Sequence, residues 1–167
     1  PLNGGTNLVE LNAGRLTRSA VWSVLEAEDA TRRAETARIQ GEIDSVAAQG
    51  GGRVVVSPGE HPCGTLYLKS GVELYLAEGA VLLGSEKSGD YDDAIPKAEM
   101  YDYEQIAPEA RSLKAFIYAQ GATNVAITGK GMIDGQGPRF FDHTTVLWKR
   151  FWAKPKVHRP RMVVLFG

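Results

Sequence analysis

Two groups of residues have the types and spacing to do chemistry. Asp92-Asp93 is a carboxylate pair, the arrangement in which one group donates a proton while its neighbour activates water. Farther along, Lys149, Arg150, Lys154, Lys156, Arg159 and Arg161 are interleaved with Trp148, Phe151 and Trp152. Guanidinium forks pair with carboxylates and flat rings cover apolar sugar faces, so such a cluster suits an acidic sugar chain. Each has a plainer reading. Asp92-Asp93 stands in an acidic stretch with Glu86, Asp90, Glu99, Asp102, Glu104 and Glu109. Solvated carboxylates there seldom have the perturbed pKa that proton transfer needs, so the pair reads as part of a solvated loop. The basic cluster fits an ordinary solvated loop, a partner that neutralises the acidic stretch, or a ligand surface. In the ligand reading, Trp148, Lys154, Lys156, Arg159 and Arg161 make the contacts.

The remaining candidates point away from metals and cofactors. His143 and His158 are fifteen residues apart and lack an i, i+4 partner, so they do not read as metal ligands. Cys63 is the only cysteine, which excludes an intrachain disulfide and a thiolate metal site. Asp134 and Gln136 flank Gly135 and read as turn chemistry rather than as a ligand site. The 167 residues carry 19 Lys+Arg against 20 Asp+Glu, so no global field favours nucleic acid or an acidic membrane. No run of about eighteen apolar residues marks a membrane-crossing helix. The chain opens without Met and without a basic-then-apolar leader pattern, and is expected to be a processed or truncated one.

The elements that must position these residues come in two kinds. Ile39, Ile43, Val46 and Ala47 fall at i, i+4, i+7 and i+8, which predicts a helix over 29–49. Asp29 or Thr31 is the expected cap, and Gly50-Gly51-Gly52 the stop. Ala20, Val21, Val24 and Leu25 keep a similar period and allow the helix to begin near Thr17. Beyond the glycines the period shortens. Residues 53–56, 65–68, 73–76 and 80–83 are short runs rich in Val, Leu and Tyr, divided by Gly, Pro and Ser.

These runs repeat. Thr65 to Gly84 reads as three short strands with glycine corners in 20 residues, and Ala115 to Gly135 reads the same way in 21. A third unit begins at Arg161. Units of this kind describe coils of a β-solenoid, in which each strand pairs in parallel with its equivalent one coil on. That also explains the 19 glycines, more than an average composition supplies. Two insertions, 85–114 and 136–160, leave after the same corner and are expected to stack. Tyr67, Tyr75, Phe116 and Tyr118 fall on repeated strands and read as core or covered residues rather than as a sugar cleft.

The run "GGGRVVVSPGEHPCGTLYLKSGVELYLAEGAVLLGS", then "FIYAQGATNVAITGKGMIDGQG" and "RPRMVVLF", resembles the N-terminal part of glycoside hydrolase family 28, the polygalacturonases and their relatives. The resemblance covers roughly Thr36 to Phe166. It implies an all-β fold: a right-handed, single-stranded parallel β-helix of the pectin lyase-like kind, with an amphipathic N-terminal capping helix. It implies inverting hydrolysis of α-linked galacturonic acid in pectin, without a cofactor, and a secreted or periplasmic protein. The family's Asn-Thr-Asp, Asp-Asp, Gly-His-Gly and Arg-Ile-Lys segments are not matched here. Asp92-Asp93 lies far upstream of the family's pair, Ala37-Arg38-Ile39-Gln40 is not Arg-Ile-Lys, and His61, His143 and His158 lack glycine neighbours.

The expected organisation is therefore an N-terminal segment with a capping helix over 1–50 and the first coils of the β-helix over 51–167. The catalytic aspartates are expected after Gly167, and this chain alone is expected to be inactive. Its last coil would need covering by further coils or another chain, since unpaired strand edges invite association. The implied partner is a pectic polysaccharide, with no nucleic acid and no membrane. The rival is a non-catalytic β-solenoid serving a structural, carbohydrate-binding or adhesion role. A lyase of the same fold fits less well, because no cluster of calcium ligands is apparent.

Overall fold

A computed structural model describes residues 18–94, 114–140 and 159–166. The chain divides into two compact units, Pro1–Thr31 and Arg32–Gly167. Helix α1 runs over Arg18–Ala48, so the longer of the two expected helices forms. Asp29 and Thr31 are interior rather than capping positions, and the Thr31 hydroxyl donates to the Ala27 carbonyl at 2.9 Å. The apolar period of Ala20, Val21, Val24 and Leu25 continues upstream of both positions, and Leu25 to Glu28 are good helix formers that carry the helix past them. Within the first unit its apolar side chains stay open, with Trp22 60% exposed.

The helix ends as its glycines require. The Gly51 N–H donates to the Val46 carbonyl and the Gly50 N–H to the Ala47 carbonyl, both at 3.0 Å. These are the two crossed bonds of a Schellman ending, and Gly50 supplies the left-handed residue with φ 95°. Within the second unit Ile39 and Ile43 are fully buried, and Val46 and Ala47 pack at the edge of the same cluster. The i, i+4, i+7, i+8 stripe is thus the helix's core face.

Among the described residues nine strands follow: β1 (Gly52–Val56), β2 (Gly59–Cys63), β3 (Leu66–Tyr67), β4 (Val72–Leu76), β5 (Ala80–Gly84), β6 (Ala115–Gln120), β7 (Ala126–Gly129), β8 (Met132–Asp134) and β9 (Arg161–Phe166). They form three parallel sheets, β1-β4-β7, β2-β5-β8 and β3-β6-β9. Each pass of the chain therefore gives one strand to every sheet. Register aligns Val54 with Leu74 and Ile127, His61 with Leu82 and Ile133, and Leu66 with Ile117 and Val163. The equivalences drawn between 65–68, 115–118 and 161–166, and between the other repeated runs, are those of the sheets.

The coil count differs from the sequence reading. Starting at β1 the chain makes three passes, because Gly59–Cys63 is a strand that the periodicity missed. Pro62 lacks a donor and His61 is polar, so the segment does not look like a strand. β2 is the outermost strand of its sheet, where a missing N–H costs no ladder bond.

Both insertions leave from the second sheet, as expected from their common corner. Gln136 Nε2 donates to the Gly84 carbonyl at 2.5 Å, and Arg139 Nε lies 3.7 Å from Glu86 Oε2. Each insertion also carries an aromatic anchor near its root. Tyr91 and Phe140 are each 2% exposed within the main core cluster, and Tyr91 meets Phe116 edge-on at 5.9 Å.

Candidate functional site

The two points where the insertions rejoin the coil lie side by side. β6 begins at Ala115 and β9 at Arg161, these two are in register, and the Arg161 N–H donates to the Lys114 carbonyl at 2.9 Å. Arg161 and Arg159 are exposed there. Trp148, Lys154 and Lys156 lie outside the described residues, as do Lys149, Arg150, Phe151, Trp152, His143 and His158. The structure thus places two of the five expected contact residues at the start of the third sheet.

The acidic pair is tied down locally beside them. Asp92 Oδ2 accepts from the Tyr67 hydroxyl at 2.8 Å, and the Asp92 N–H donates to Thr65 Oγ1 at 2.9 Å. Asp93 Oδ1 lies 3.2 Å from Lys114 Nζ, which also donates to the Tyr91 carbonyl at 2.6 Å. Nearby, Asp90 Oδ2 takes Arg32 Nε at 3.0 Å and the Ser85 hydroxyl. Asp92 ties the first insertion to the coil and Asp90 ties it to the helix, while Asp93 pairs within the insertion. Asp92-Asp93 thus stands in a loop in which Asp92 is bonded rather than merely solvated. Burial and the Asp92 bond push the Tyr67 hydroxyl up to about 12, so it stays a donor at ordinary pH.

The strand aromatics are covered, as expected. Phe116 is fully buried and Tyr118 is 4% exposed, held between Tyr67 at 5.9 Å and Phe166 at 6.1 Å between ring centroids. Tyr75 is half-buried, with the Arg53 guanidinium 4.7 Å above its ring. Asp134 and Gln136 perform turn chemistry: Asp134 Oδ1 accepts from the Gln136 N–H at 2.8 Å. Among the described residues, no group of three or more His, Cys, Asp and Glu is arranged to hold a metal ion.

The sequence reading missed a cleft of about 460 Å³ lined by Arg32, Arg33, Thr36, Gln40, Tyr67 and Asp92. Much of its polar lining is already engaged. Gln40 bonds the backbone of Tyr67 through both amide atoms, and Thr36 Oγ1 accepts from the Gly64 N–H. Signals for it were scattered over the helix, a turn and an insertion, so no local motif marked it.

Beneath the helix, Glu35 takes Arg38 Nη2 at 2.6 Å and faces His61 Nδ1 at 2.7 Å. The Arg38 hydrogen bond foremost, with His61 adding to it, lowers the Glu35 carboxyl from 4.5 to about 2. A depressed carboxyl contributes stability above its ordinary value and loses it as pH falls toward the folded one. Acidifying from pH 4.5 to pH 2 should therefore remove about 1–3 kcal/mol through this group. Glu35→Gln should lower the urea midpoint at pH 6 but narrow its gap to the parent at pH 3. An equal gap at both pH values would contradict this.

No family model matches the chain. It is 34% identical over 142 residues to an exo-poly-alpha-D-galacturonosidase from Dickeya chrysanthemi, covering 80% of this chain and 23% of that protein. It is 31% identical over 116 residues to a polygalacturonase from Ralstonia solanacearum, covering 68% of this chain and 21% of the relative. Among solved structures, a family 28 exopolygalacturonase from Yersinia enterocolitica aligns with 36% identity and a TM-score of 0.45, over 58% of this chain and 17% of that one. The chain thus spans less than a quarter of the length of either sequence relative. Over most of its own length, it is a relative of the polygalacturonases of glycoside hydrolase family 28.

Proposed function

We propose that the protein carrying this chain hydrolyses α-linked galacturonic acid in pectin or a closely related acidic polysaccharide, with inversion. The observation that carries this reading is the 34% identity to a named galacturonosidase across 80% of the chain. In this reading the passes open a right-handed parallel β-helix of the pectin lyase-like kind. Residues 1–50 are its N-terminal segment and cap, and 51–167 its first coils. Three parallel sheets built from successive passes support it.

Inverting hydrolysis needs an acid and a base about 6.5–9.5 Å apart, with room for water between them. Asp90, Asp92 and Asp93 are occupied by partners that hold the first insertion. In this reading the catalytic aspartates come after Gly167, on further passes of the solenoid. Trp148, Lys154, Lys156, Arg159 and Arg161 contact the polyanion, and a cell-wall substrate places the protein outside the cytoplasm or in the periplasm.

The test is a reducing-sugar assay of the full-length protein against a panel of pectic polymers. New reducing ends from a galacturonate polymer are expected; none from any member would favour a non-catalytic solenoid. Asp92→Asn and Asp93→Asn should keep kcat within about twofold of the parent, since neither group acts on the substrate. Reversing the charge of Lys154 and Lys156 together should raise KM for oligogalacturonate about tenfold with kcat held. An unchanged KM with a thermal midpoint that drops only at low salt would instead assign these lysines to pairing with the acidic insertion.

A further inference from the structure

Every residue lining the cleft beside β3 belongs to the second unit. One wall is helical: Arg33, Thr36, Ala37 and Gln40 stand at i, i+3, i+4 and i+7, which is one face of α1. Gly89 and Asp92 of the first insertion form the other. Most of the polar lining is spent. Thr36 and Gln40 hold the backbones of Gly64 and Tyr67, Arg32 holds Asp90, and the Tyr67 hydroxyl holds Asp92. Arg33 is the exception. It is exposed, and among the described residues its guanidinium has neither a hydrogen-bond nor an ion-pair partner. Opposite it the wall is open, because a Cβ built on Gly89 meets nothing within 4 Å. At about 460 Å³ the cleft falls within the range of small-ligand sites, about 300–1,000 Å³.

We propose that this cleft binds a uronate residue of an acidic polysaccharide, its carboxylate held by the Arg33 fork and its ring laid along Ala37 and Tyr67. A planar guanidinium matches a carboxylate through two parallel N–H bonds, and no carboxylate of the protein occupies this one. Asp92 repels anions from the opposite wall, so the ligand's carboxylate faces the helix. Ala37 and the Tyr67 ring offer the apolar surface that a sugar face covers. That the acid is galacturonate rests on the function proposed above; that it is a carboxylate rests on the cleft itself.

The experiment is affinity electrophoresis of the full-length protein through gels holding polygalacturonate, run in the cold beside Arg33→Ala. Alanine keeps an exposed helix position helical, so the variant should fold as the parent does. Its apparent Kd for the polymer should rise about tenfold. On a fully methyl-esterified polymer, which lacks the charge, parent and variant should run alike. Gly89→Phe is the second variant: it needs no left-handed backbone and puts a ring into the open part of the cleft, so retention should weaken by about as much. Unchanged retention of Arg33→Ala, an equal loss on the esterified polymer, or a parent that polygalacturonate does not retain would each overturn the proposal. Release of reducing ends is read separately. Hydrolysis with unchanged retention of Arg33→Ala overturns the cleft alone, and Arg33-dependent retention without hydrolysis overturns the hydrolase reading alone.

Discussion

Gly129→Val is expected to abolish stable folding of the first three passes, at a cost of more than about 3 kcal/mol. Gly129 closes β7 with φ 103°, a conformation that a β-branched residue enters only under strain. The surroundings add to this. Gly129 is in register with Leu76, and any Cβ built on it would fall on the Leu76 carbonyl oxygen. That oxygen already accepts from the N–H groups of Lys130 and Gly131 at 3.0 and 3.1 Å. A side chain there must push apart the corner that turns β7 into β8, and with it the stacking of the third pass on the second. Gly137→Ala is the control, because an added methyl meets nothing within 4 Å and needs no left-handed backbone. It should leave the denaturation midpoint within about 0.5 kcal/mol of the parent. Comparable losses in the two variants would show that the corner is softer than its geometry implies.

The glycine corners were the legible part of the fold. Strand runs between them set the pairing of 65–68 with 115–118 and 161–166 because solenoid register follows from equal coil lengths. β2 escaped because a strand at the outer edge of its sheet need not look like one: Pro62 and His61 are both admissible there. The early start of the helix was legible in the period of Ala20, Val21, Val24 and Leu25, but the cap was not. Capping chemistry at Asp29 and Thr31 is a local preference, and the good helix formers Leu25, Glu26, Ala27 and Glu28 just upstream override it.

The candidate site was less legible than the fold. Phe116 and Tyr118 lie two apart and share one face of β6, but the sequence did not show what covers each: Tyr91 meets Phe116, while Tyr67 and Phe166 flank Tyr118. Tyr91 reaches Phe116 from a stretch read only as acidic, so this cover had no local signal. The Glu35–His61 contact joins residues 26 apart, and neither neighbourhood alone suggests a partner. Family resemblance supplied the expected activity, and it did so without placing one catalytic carboxylate.

The second large effect belongs to Leu74→Ala. Leu74 is fully buried in the middle strand of the first sheet, with Val54 in register on one side and Ile127 on the other. The middle pass has neighbours both above and below, so a cavity there can close from neither direction. Deleting the side chain removes transfer energy and leaves that void, together worth about 2–5 kcal/mol. Ile133→Ala gives the comparison. Ile133 is half-buried on β8 in the third pass, so its lost contacts are fewer and the expected cost is about 1 kcal/mol. Both variants would be measured by urea denaturation of the full-length protein. If the two costs were equal, the third pass would be as enclosed as the second, which places further chain on the edges of β7, β8 and β9. The stability difference between these substitutions therefore reports how much of the solenoid covers the third pass.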